Sequence, residues 1–573
     1  MRAVPCIAGR AWALPLPAHL LALGALLGMA APLLHPGATF TADEGLYAIQ
    51  VRALEQGSWE YDYRPAVYDP DGSWFPLRNA AREDGSWFPY VHHPAYPLAL
   101  LAATRVLGGT TGLYALGLLG TLGVAAAAWS VAARVDARAS RGAFWVAATG
   151  PVAINGFLVL AHAPSAALAG AAVLAALAAQ RSPSWRWTAA LLGSVSAGVL
   201  LRAEAVLFGL ALAGAVALAP RWASDGRPPP RGRLLLAGAI LGVVGATVAA
   251  ERAWIGSIVG GRYREGGVRG EDVATTVGSG GGAGDFLVGR LQGAWHSLLQ
   301  GSHATTAESL VVVVALTMVG FAAWAAVRRR PGWPRDVGVG LGAATALYAA
   351  RWAMGTDQSI TGLVAAWPLA LLGPAVVVGR RPRGPGLFLV TVVALFGAAV
   401  VATQYRIGGG FEWGGRFFSP AAVPLAVLAC LGLRDVVERL PGRRPVVVGL
   451  LVLLAALPLG TGLSVVRHVR PLLDDVADEV VAGGGRLVLT HSPALPPAAW
   501  RTYPEVGWMV VPPSGMEEVV SRIRRTSGAR VDVVVDRSRA ADLRSAFPGF
   551  RDVTGPGAAR LGWRALTLPA ARP

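Results

Sequence analysis

The stretch 12-WALPLPAHLLALGALLGMAAPLL-34 decides the class of fold, because its 23 residues are almost entirely apolar. About 20 apolar residues in a helix are enough to cross the roughly 30 Å hydrocarbon core of a bilayer. Many similar runs follow, so we expect the first one to be an uncleaved membrane span and not a signal peptide. Shortly after it, 41-TADEGLYAIQ-50 carries two adjacent carboxylates, Asp43 and Glu44.

The composition indicates a membrane protein along the whole chain. Of the 573 residues, 54% are hydrophobic and only 15% are charged, and the mean hydropathy is +0.48. A soluble protein would carry about 25% charged residues. We therefore predict an all-α polytopic membrane protein with about thirteen spans, at 12–34, 110–133, 143–160, 162–180, 187–201, 204–220, 233–252, 309–327, 336–353, 359–379, 386–403, 417–433 and 445–467.

The positive charge follows the predicted topology. The chain has no lysine, so its formal charge of +17 comes from arginine alone. Arginine clusters such as Arg134, Arg138 and Arg141 come after pairs of spans. Because positive charge marks cytoplasmic connections, we expect a cytoplasmic N-terminus and an extracytoplasmic C-terminus in a cell membrane. The same placement explains the basic charge without a nucleic-acid partner.

The predicted domains are a transmembrane domain at 1–467 and an extracytoplasmic accessory domain at 468–573. Two external segments interrupt the first domain: a long loop at 35–109 with surface helices, and a flexible loop at 253–308 that contains 278-GSGGGAG-284. The second domain alternates short apolar runs with amphipathic segments. This alternation predicts a small α/β domain with a parallel sheet, built on strands at 486–490 and 530–536 and helices at 516–526 and 537–547.

The first external loop is rich in aromatic residues and precedes a short proline-containing motif. It repeats the hexapeptide DGSWFP at 71–76 and 84–89 and leads into 92-HHPAYPLALL-101. Tryptophan and tyrosine are common at membrane interfaces, and they also stack on sugars. Both interpretations of these aromatic residues stay open at this point.

Four stretches together resemble the polyprenyl-phosphate-dependent glycosyltransferases with the GT-C fold, such as the protein O-mannosyltransferases and the lipid A aminoarabinose transferases. They are 42-ADEGLYAIQVRALEQG-57, 92-HHPAYPLALL-101, 193-GSVSAGVLLRAEAVL-207 and 411-FEWGGRFFSPAAVPLAVLA-429. The chain departs from that pattern at Ala95, where many relatives have a second proline, and at Phe417, where tyrosine is usual. The resemblance implies a GT-C-like fold, a polyprenyl-phosphate-linked sugar donor and an envelope glycan, glycolipid or protein as acceptor.

The resemblance also assigns candidate site residues. Asp43 is the expected general base, because the attacking hydroxyl must lose a proton. Glu44 is expected to orient the site, pair with an arginine or bind a metal; alternatively, both carboxylates cap the helix that follows. The expected phosphate-binding residues are Arg202, Arg406, Arg416, His92 and His93, and the expected substrate-lining residues are Tyr47, Tyr96, Glu204 and Trp413.

Arginines on the outer side are scarce, which favours a phosphate-binding role for Arg202, Arg406 and Arg416, although each could instead contact lipid headgroups. No cofactor is required by the sequence, and a divalent cation is an option that the resemblance leaves open. Attack opposite the leaving phosphate predicts inversion at the sugar. The main alternative function is a transporter or flippase of a lipid-linked sugar, and another is a scaffold that displays the C-terminal domain.

Overall fold

The computed structural model describes residues 14–34, 39–76, 81–83, 86–89, 92–218, 230–259, 283–299, 305–355, 361–403, 413–482, 484, 486–503 and 505–570. Within these residues, eight helices are long and apolar enough to cross a membrane, and three shorter helices of 10 to 17 residues are also apolar. The predicted fold class is confirmed: an all-helical membrane part is followed by a small C-terminal α/β part. The predicted total of about thirteen spans stays a prediction.

The helices of the first half begin close to the predicted spans, and two of them lie in or after the first loop. They are α1 (Leu16–Ala30), α2 (Ala42–Glu55), α3 (Ala95–Leu107), α4 (Gly109–Val135), α5 (Ser140–Ala148), α6 (Pro151–Asn155), α7 (His162–Arg181), α8 (Trp185–Leu201), α9 (Glu204–Leu218) and α10 (Pro230–Val259).

The second half continues the bundle and ends in a helix of 39 residues. Its helices are α11 (Ala283–Leu298), α12 (Thr306–Arg328), α13 (Trp333–Ala353), α14 (Leu363–Ala366), α15 (Leu369–Gly379), α16 (Gly384–Thr403), α17 (Ala422–Glu438) and α18 (Arg444–Ala482). Helix α18 passes the predicted domain boundary at 467 without a break.

Two predicted spans are interrupted in the structure. The span expected at 143–160 consists of α5 and α6, because Gly150 is extended and Pro151 starts a new helix. The span expected at 359–379 is divided between α14 and α15 at Trp367, whose helical conformation the following Pro368 disfavours.

The C-terminal part contains a five-stranded mixed sheet. Its order is β4-β3-β5-β7-β6. Strands β3 (Leu487–Thr490), β4 (Gly507–Val510) and β5 (Val531–Asp536) pair in parallel. The two predicted strands, β3 and β5, are thus parallel as expected, whereas β7 (Trp563–Leu568), which was not predicted, is antiparallel to β5 and to β6 (Arg551–Asp552) and makes the sheet mixed. The short helix α22 (Pro556–Arg560) joins β6 to β7, and this connection is too short for a parallel crossover.

The remaining C-terminal helices join these strands. They are α19 (Leu495–Ala498), α20 (Met516–Ser527) and α21 (Arg537–Ala546). Helices α20 and α21 lie close to the predicted 516–526 and 537–547. In the first loop, β1 (Ala81–Glu83) and β2 (Ser86–Phe88) form an antiparallel pair.

The loop that follows the first span and the C-terminal part share one hydrophobic core. A single cluster of buried side chains includes Leu23 of α1, Tyr47 of α2, Phe75 of the loop, and Trp508 and Val533 of the C-terminal sheet. Backbone contacts join the same parts, since the amide of Val510 donates to the carbonyl of Trp74 over 2.9 Å. The C-terminal part therefore packs directly on the loop that follows the first span.

The motif residues of the first loop and the arginine-rich connections lie at opposite ends of the bundle. Helix α7 has 20 residues and is therefore about 30 Å long. His162 starts it, whereas Arg181 at its other end donates to the carbonyl of Arg134. At that second end Arg434 pairs with Asp136, and Arg380 pairs with Asp435. The motif residues of the first loop lie at the His162 end.

Candidate functional site

The start of α2 carries both carboxylates and is fixed by a capping box. The Thr41 hydroxyl accepts a hydrogen bond from the amide of Glu44, and the Glu44 carboxylate accepts one from the amide of Thr41 over 2.9 Å. The same carboxylate oxygen accepts from the amide of Phe40 over 2.7 Å. Glu44 therefore caps the helix, which was one of the alternatives for this pair, while Asp43 takes no part in the capping box.

The second oxygen of Glu44 lies in a buried ion pair. It accepts a hydrogen bond of 2.9 Å from Arg470 and another of 2.9 Å from the amide of Val159. Both side chains of the pair are buried. Glu44 thus pairs with an arginine, as one of its expected roles required, and both of its oxygens are occupied by protein donors.

Asp43 lies on a different side of the first turn and contacts Arg416. Its Oδ2 accepts a hydrogen bond of 2.8 Å from Nη1 of Arg416. Both side chains keep partial exposure, at 21% for Asp43 and 13% for Arg416. The pair therefore remains accessible from outside, unlike the pair formed by Glu44.

Two glycines place Arg416 beside Asp43. Gly414 and Gly415 have φ angles of 75° and 63°, in the left-handed region that favours glycine. A Cβ on Gly415 would lie 2.2 Å from the carbonyl oxygen of Ser297, so the turn also requires the absence of a side chain. Arg416 then begins a 3₁₀ turn that leads into α17.

Arg202 and Glu204 form a third ion pair, which is more deeply buried than Asp43–Arg416. They lie where α8 ends and α9 begins, and Arg202 donates to both carboxylate oxygens of Glu204, over 3.0 Å and 2.7 Å. Their exposed fractions are only 7% and 5%. A two-point contact of this kind holds a guanidinium in a fixed plane.

His162 lies among these charged groups and was missed by the sequence analysis. The ring is buried at the start of α7, and the charges of Arg202, Glu204, Arg416 and Asp43 all act on it. The ion pairs of Asp43 and Arg202 are therefore neighbours of one histidine. The sequence signal was 160-LAHAPS-165, a histidine at the start of an apolar span on the predicted outer side.

The tyrosines predicted to line the site are fully buried beside it. The rings of Tyr47 and Tyr96 meet edge to face with centroids 4.7 Å apart. The charges of Glu44 and Arg202 both reach Tyr96. Among the described residues, none hydrogen-bonds the buried Tyr96 hydroxyl.

Trp413 packs away from these groups, against α18. Its ring is buried, and a Cβ on Gly462 would lie 2.7 Å from it. Trp413 thus packs between α18 and the turn that carries Arg416. Its expected role as a substrate-lining residue stays a prediction.

The histidine motif contacts a different helix. His93 has a φ of 51° and its Nδ1 lies 2.8 Å from a carboxylate oxygen of Glu251, on α10. His92 lies beside it, just before α3 begins. Arg406, the remaining phosphate-binding candidate, lies outside the described residues.

The described residues contain no group of three or more histidine, cysteine, aspartate or glutamate side chains that could hold a metal ion. Glu44, one of the expected ligands, already has protein donors on both oxygens. The Glu44 carboxylate therefore has no oxygen left for a divalent cation in this arrangement.

Comparisons with solved structures identify proteins of similar architecture. No protein-family model matches the sequence, and no curated protein sequence matches it. ArnT from Cupriavidus metallidurans in the apo state superposes with a TM-score of 0.52 at 13% identity, over 99% of this chain and 100% of that chain. The structure of the same ArnT bound to undecaprenyl phosphate gives a TM-score of 0.50 at 12% identity, over 97% and 99%.

A third structure, the Archaeoglobus fulgidus oligosaccharyltransferase in complex with Zn and sulfate, is similar to 91% of this chain at 13% identity and a TM-score of 0.49. The superposition with ArnT extends over nearly the full length of both chains, so it includes the C-terminal α/β part. The chain therefore has the fold of ArnT, a GT-C membrane enzyme, as the resemblance implied.

Proposed function

We propose that this protein is an integral-membrane glycosyltransferase. It moves a sugar from a polyprenyl-phosphate carrier to an envelope glycan, glycolipid or protein on the extracytoplasmic face of the cell membrane. The observation that supports this proposal most is the grouping of the Asp43–Arg416 and Arg202–Glu204 pairs about His162. The fold is that of ArnT, whose structure holds undecaprenyl phosphate.

The proposed reaction uses Asp43 as general base. The acceptor hydroxyl attacks the anomeric carbon of the sugar, and its proton passes to the Asp43 carboxylate. The bond between that carbon and the phosphate oxygen breaks, and its electron pair leaves with the polyprenyl phosphate. Attack from the opposite face inverts the configuration at this carbon.

The arginines would stabilise the leaving phosphate. Arg416 is the better placed of the two, because its partner Asp43 is partly exposed and the pair is accessible. Arg202 is already held on two points by Glu204, so its guanidinium is oriented before any ligand arrives. The formal charges of Asp43, Arg416, Arg202 and Glu204 sum to zero, so a bound phosphate would bring a net negative charge to the site.

The orientation of the chain belongs to the same proposal. With a cytoplasmic N-terminus, the paired arginines near Arg434 face the cytoplasm and the end that carries Asp43 faces outward, where a lipid-linked sugar would be used. The C-terminal part then lies outside the membrane, over the first loop.

A panel of polyprenyl-phosphate sugars tests the proposal with purified full-length protein and its Asp43→Asn variant. Wild-type protein should transfer at least one sugar, and the variant should lose about 100-fold or more of the rate, in the range measured for general bases. Asp62→Asn is the control, since Asp62 is an exposed carboxylate of the same loop. Undiminished transfer by Asp43→Asn removes Asp43 from the mechanism; lipid movement across the bilayer without transfer supports the transporter alternative.

A further inference from the structure

We propose that Arg470, on the last long helix, is a positioning residue that sets the orientation of Asp43. Through this residue the C-terminal region holds the first turn of α2, the helix that carries the proposed base. This inference rests on the proposed function, because it gives Asp43 the role of general base.

The contacts of Arg470 tie three separate segments together. Its guanidinium donates to the carbonyl of Leu34 over 3.0 Å, to the carbonyl of Phe157 over 2.7 Å and to Glu44 over 2.9 Å. These acceptors come from the end of the first span, from the segment after α6 and from the first turn of α2. Only 1% of the Arg470 surface is exposed, so solvent cannot replace the three contacts.

Glu44 transmits this restraint to Asp43. One of its oxygens contacts Arg470, and the other accepts the amides of Phe40 and Thr41, directly before the first residue of α2. The rotation of the first turn about the helix axis is thereby fixed. Because Asp43 belongs to that turn, the direction of its carboxylate toward Arg416 is fixed as well.

Removal of Arg470 would leave the Glu44 carboxylate buried without its counter-charge. A buried charge of this kind is strongly unfavourable, so the first turn would have to move until Glu44 reached water or took up a proton. A displacement of about 1 Å at a reacting group can cost roughly 100-fold in rate. The expected effect therefore falls on turnover and not on donor binding.

A second contact from the C-terminal part restrains the same turn. Gly45 lies so close to α19 that a Cβ on it would be 1.8 Å from the carbonyl oxygen of Pro497. The neighbouring Thr39 hydroxyl donates to the carbonyl of Ala498 over 3.4 Å. The start of α2 is thus held by α18 and by α19, two helices of the C-terminal region.

The experiment compares full-length wild type, Arg470→Met and Arg470→Lys, with Arg52→Met as the matched control. Arg52 donates to the carbonyl of Arg501, so its loss removes a hydrogen bond between the same two parts without touching Glu44. Rates are divided by the amount of folded protein. Arg470→Met should lose about 100-fold in kcat with donor KM nearly unchanged. Arg470→Lys should regain part of the rate, and Arg52→Met should be close to wild type.

Hydrogen exchange at residues 40–50 is the readout that does not depend on activity. It should accelerate in Arg470→Met and stay as in wild type in Arg52→Met. If Arg470→Met folds too poorly for study, Gly45→Ala should give the same faster exchange, because it pushes Pro497 away from α2. The double variant Glu44→Gln with Arg470→Met should be folded in larger amount than Arg470→Met alone.

The proposal is overturned if Arg470→Met keeps the wild-type kcat and the wild-type exchange. A loss of kcat with unchanged hydrogen exchange at residues 40–50 also contradicts it. Arg470 would then affect the rate without restraining the first turn of α2. If wild-type protein transfers no sugar from any donor, the proposed function fails, and a positioning residue for catalysis fails with it. Faster exchange in Arg470→Met would then retain Arg470 only as a restraint on α2.

Discussion

Asp43 accepts a 2.8 Å hydrogen bond from Arg416, although 373 positions separate the two residues in the chain. The contact joins the start of the first-loop helix to the start of a late span. It also joins the proposed base to the arginine best placed for the leaving phosphate. A phosphate that bound Arg416 would compete with Asp43 for the same guanidinium, and the carboxylate would become available to the acceptor.

Arg416→Met should therefore lower kcat/KM for the lipid donor by about 100-fold, in the range found when one donor to a developing anion is removed. Arg416→Lys should retain part of the activity, because an ammonium keeps the charge but loses the planar, two-point geometry. Initial rates against donor concentration give the result. Equal activity of Arg416→Met and wild type would contradict a role in phosphate stabilisation.

His162→Gln should reduce transfer by about 10-fold or more, since the buried ring packs among the Asp43–Arg416 and Arg202–Glu204 pairs and its replacement would displace them. His468→Gln is the control, because His468 lies on exposed surface of α18. Single-turnover rates at equal amounts of folded protein make the comparison. If the His162→Gln variant kept full activity, the role of His162 would be limited to packing.

The first loop should become less stable as pH rises from about 4 to above 6. Burial raises the pKa of Asp69 from 3.8 to about 6, in spite of hydrogen bonds from the Tyr63 hydroxyl and the Trp74 amide. A carboxyl with a raised folded-state pKa stabilises the fold fully below its unfolded-state pKa, and this contribution is lost as pH rises through the folded-state value. The stabilisation lost between these two pH values is roughly 3 kcal/mol.

Limited proteolysis or hydrogen exchange of residues 60–76 at a series of pH values measures this change. Asp69→Asn, which cannot ionise, should flatten the dependence between pH 4 and 7. A loop equally protected at pH 5 and pH 8 in wild type would contradict the assignment to Asp69.

Gly415→Ala should lower both stability and activity. Its left-handed φ costs a residue with a Cβ about 1–2 kcal/mol, and the contact with the Ser297 carbonyl adds to this. Gly397→Ala is the control: it lies inside α16, where the nearest atom to an added Cβ is 3.9 Å away and alanine is the better helix former. Thermal unfolding in detergent and transfer rates should separate the two variants clearly.

The sequence contained most of the fold, because membrane spans depend on local composition. The run at 110–133 became α4 and the run at 309–327 became α12, within a few residues. The errors came where a proline interrupted an apolar run, as at Pro151 and Pro368, since mean hydropathy does not register a break in backbone hydrogen bonding. In the C-terminal sheet, β7 was missed because it pairs with β5 through a contact distant in sequence.

The site was less predictable, because ion pairs depend on which distant segments meet. Asp43 and Arg416 were both singled out by motif, but no local pattern says that they pair. Arg470 and Glu251 were not singled out from the sequence, and only the fold shows that they are buried against Glu44 and His93. His162 differs from these, since its place at the start of an apolar span was visible in the sequence.

The uninterrupted course of α18 from Arg444 to Ala482 limits how such a protein can evolve. The predicted apolar run of this helix ends at residue 467, just before Arg470, so a recombination event at that boundary would exchange the C-terminal part together with the partner of Glu44. Further along, Glu479 accepts the amides of Gly557 and Ala558 and anchors the helix in the C-terminal part. The two regions form one heritable unit, and a chimaera between distant relatives should function only when both sides of the Glu44–Arg470 contact come from the same parent.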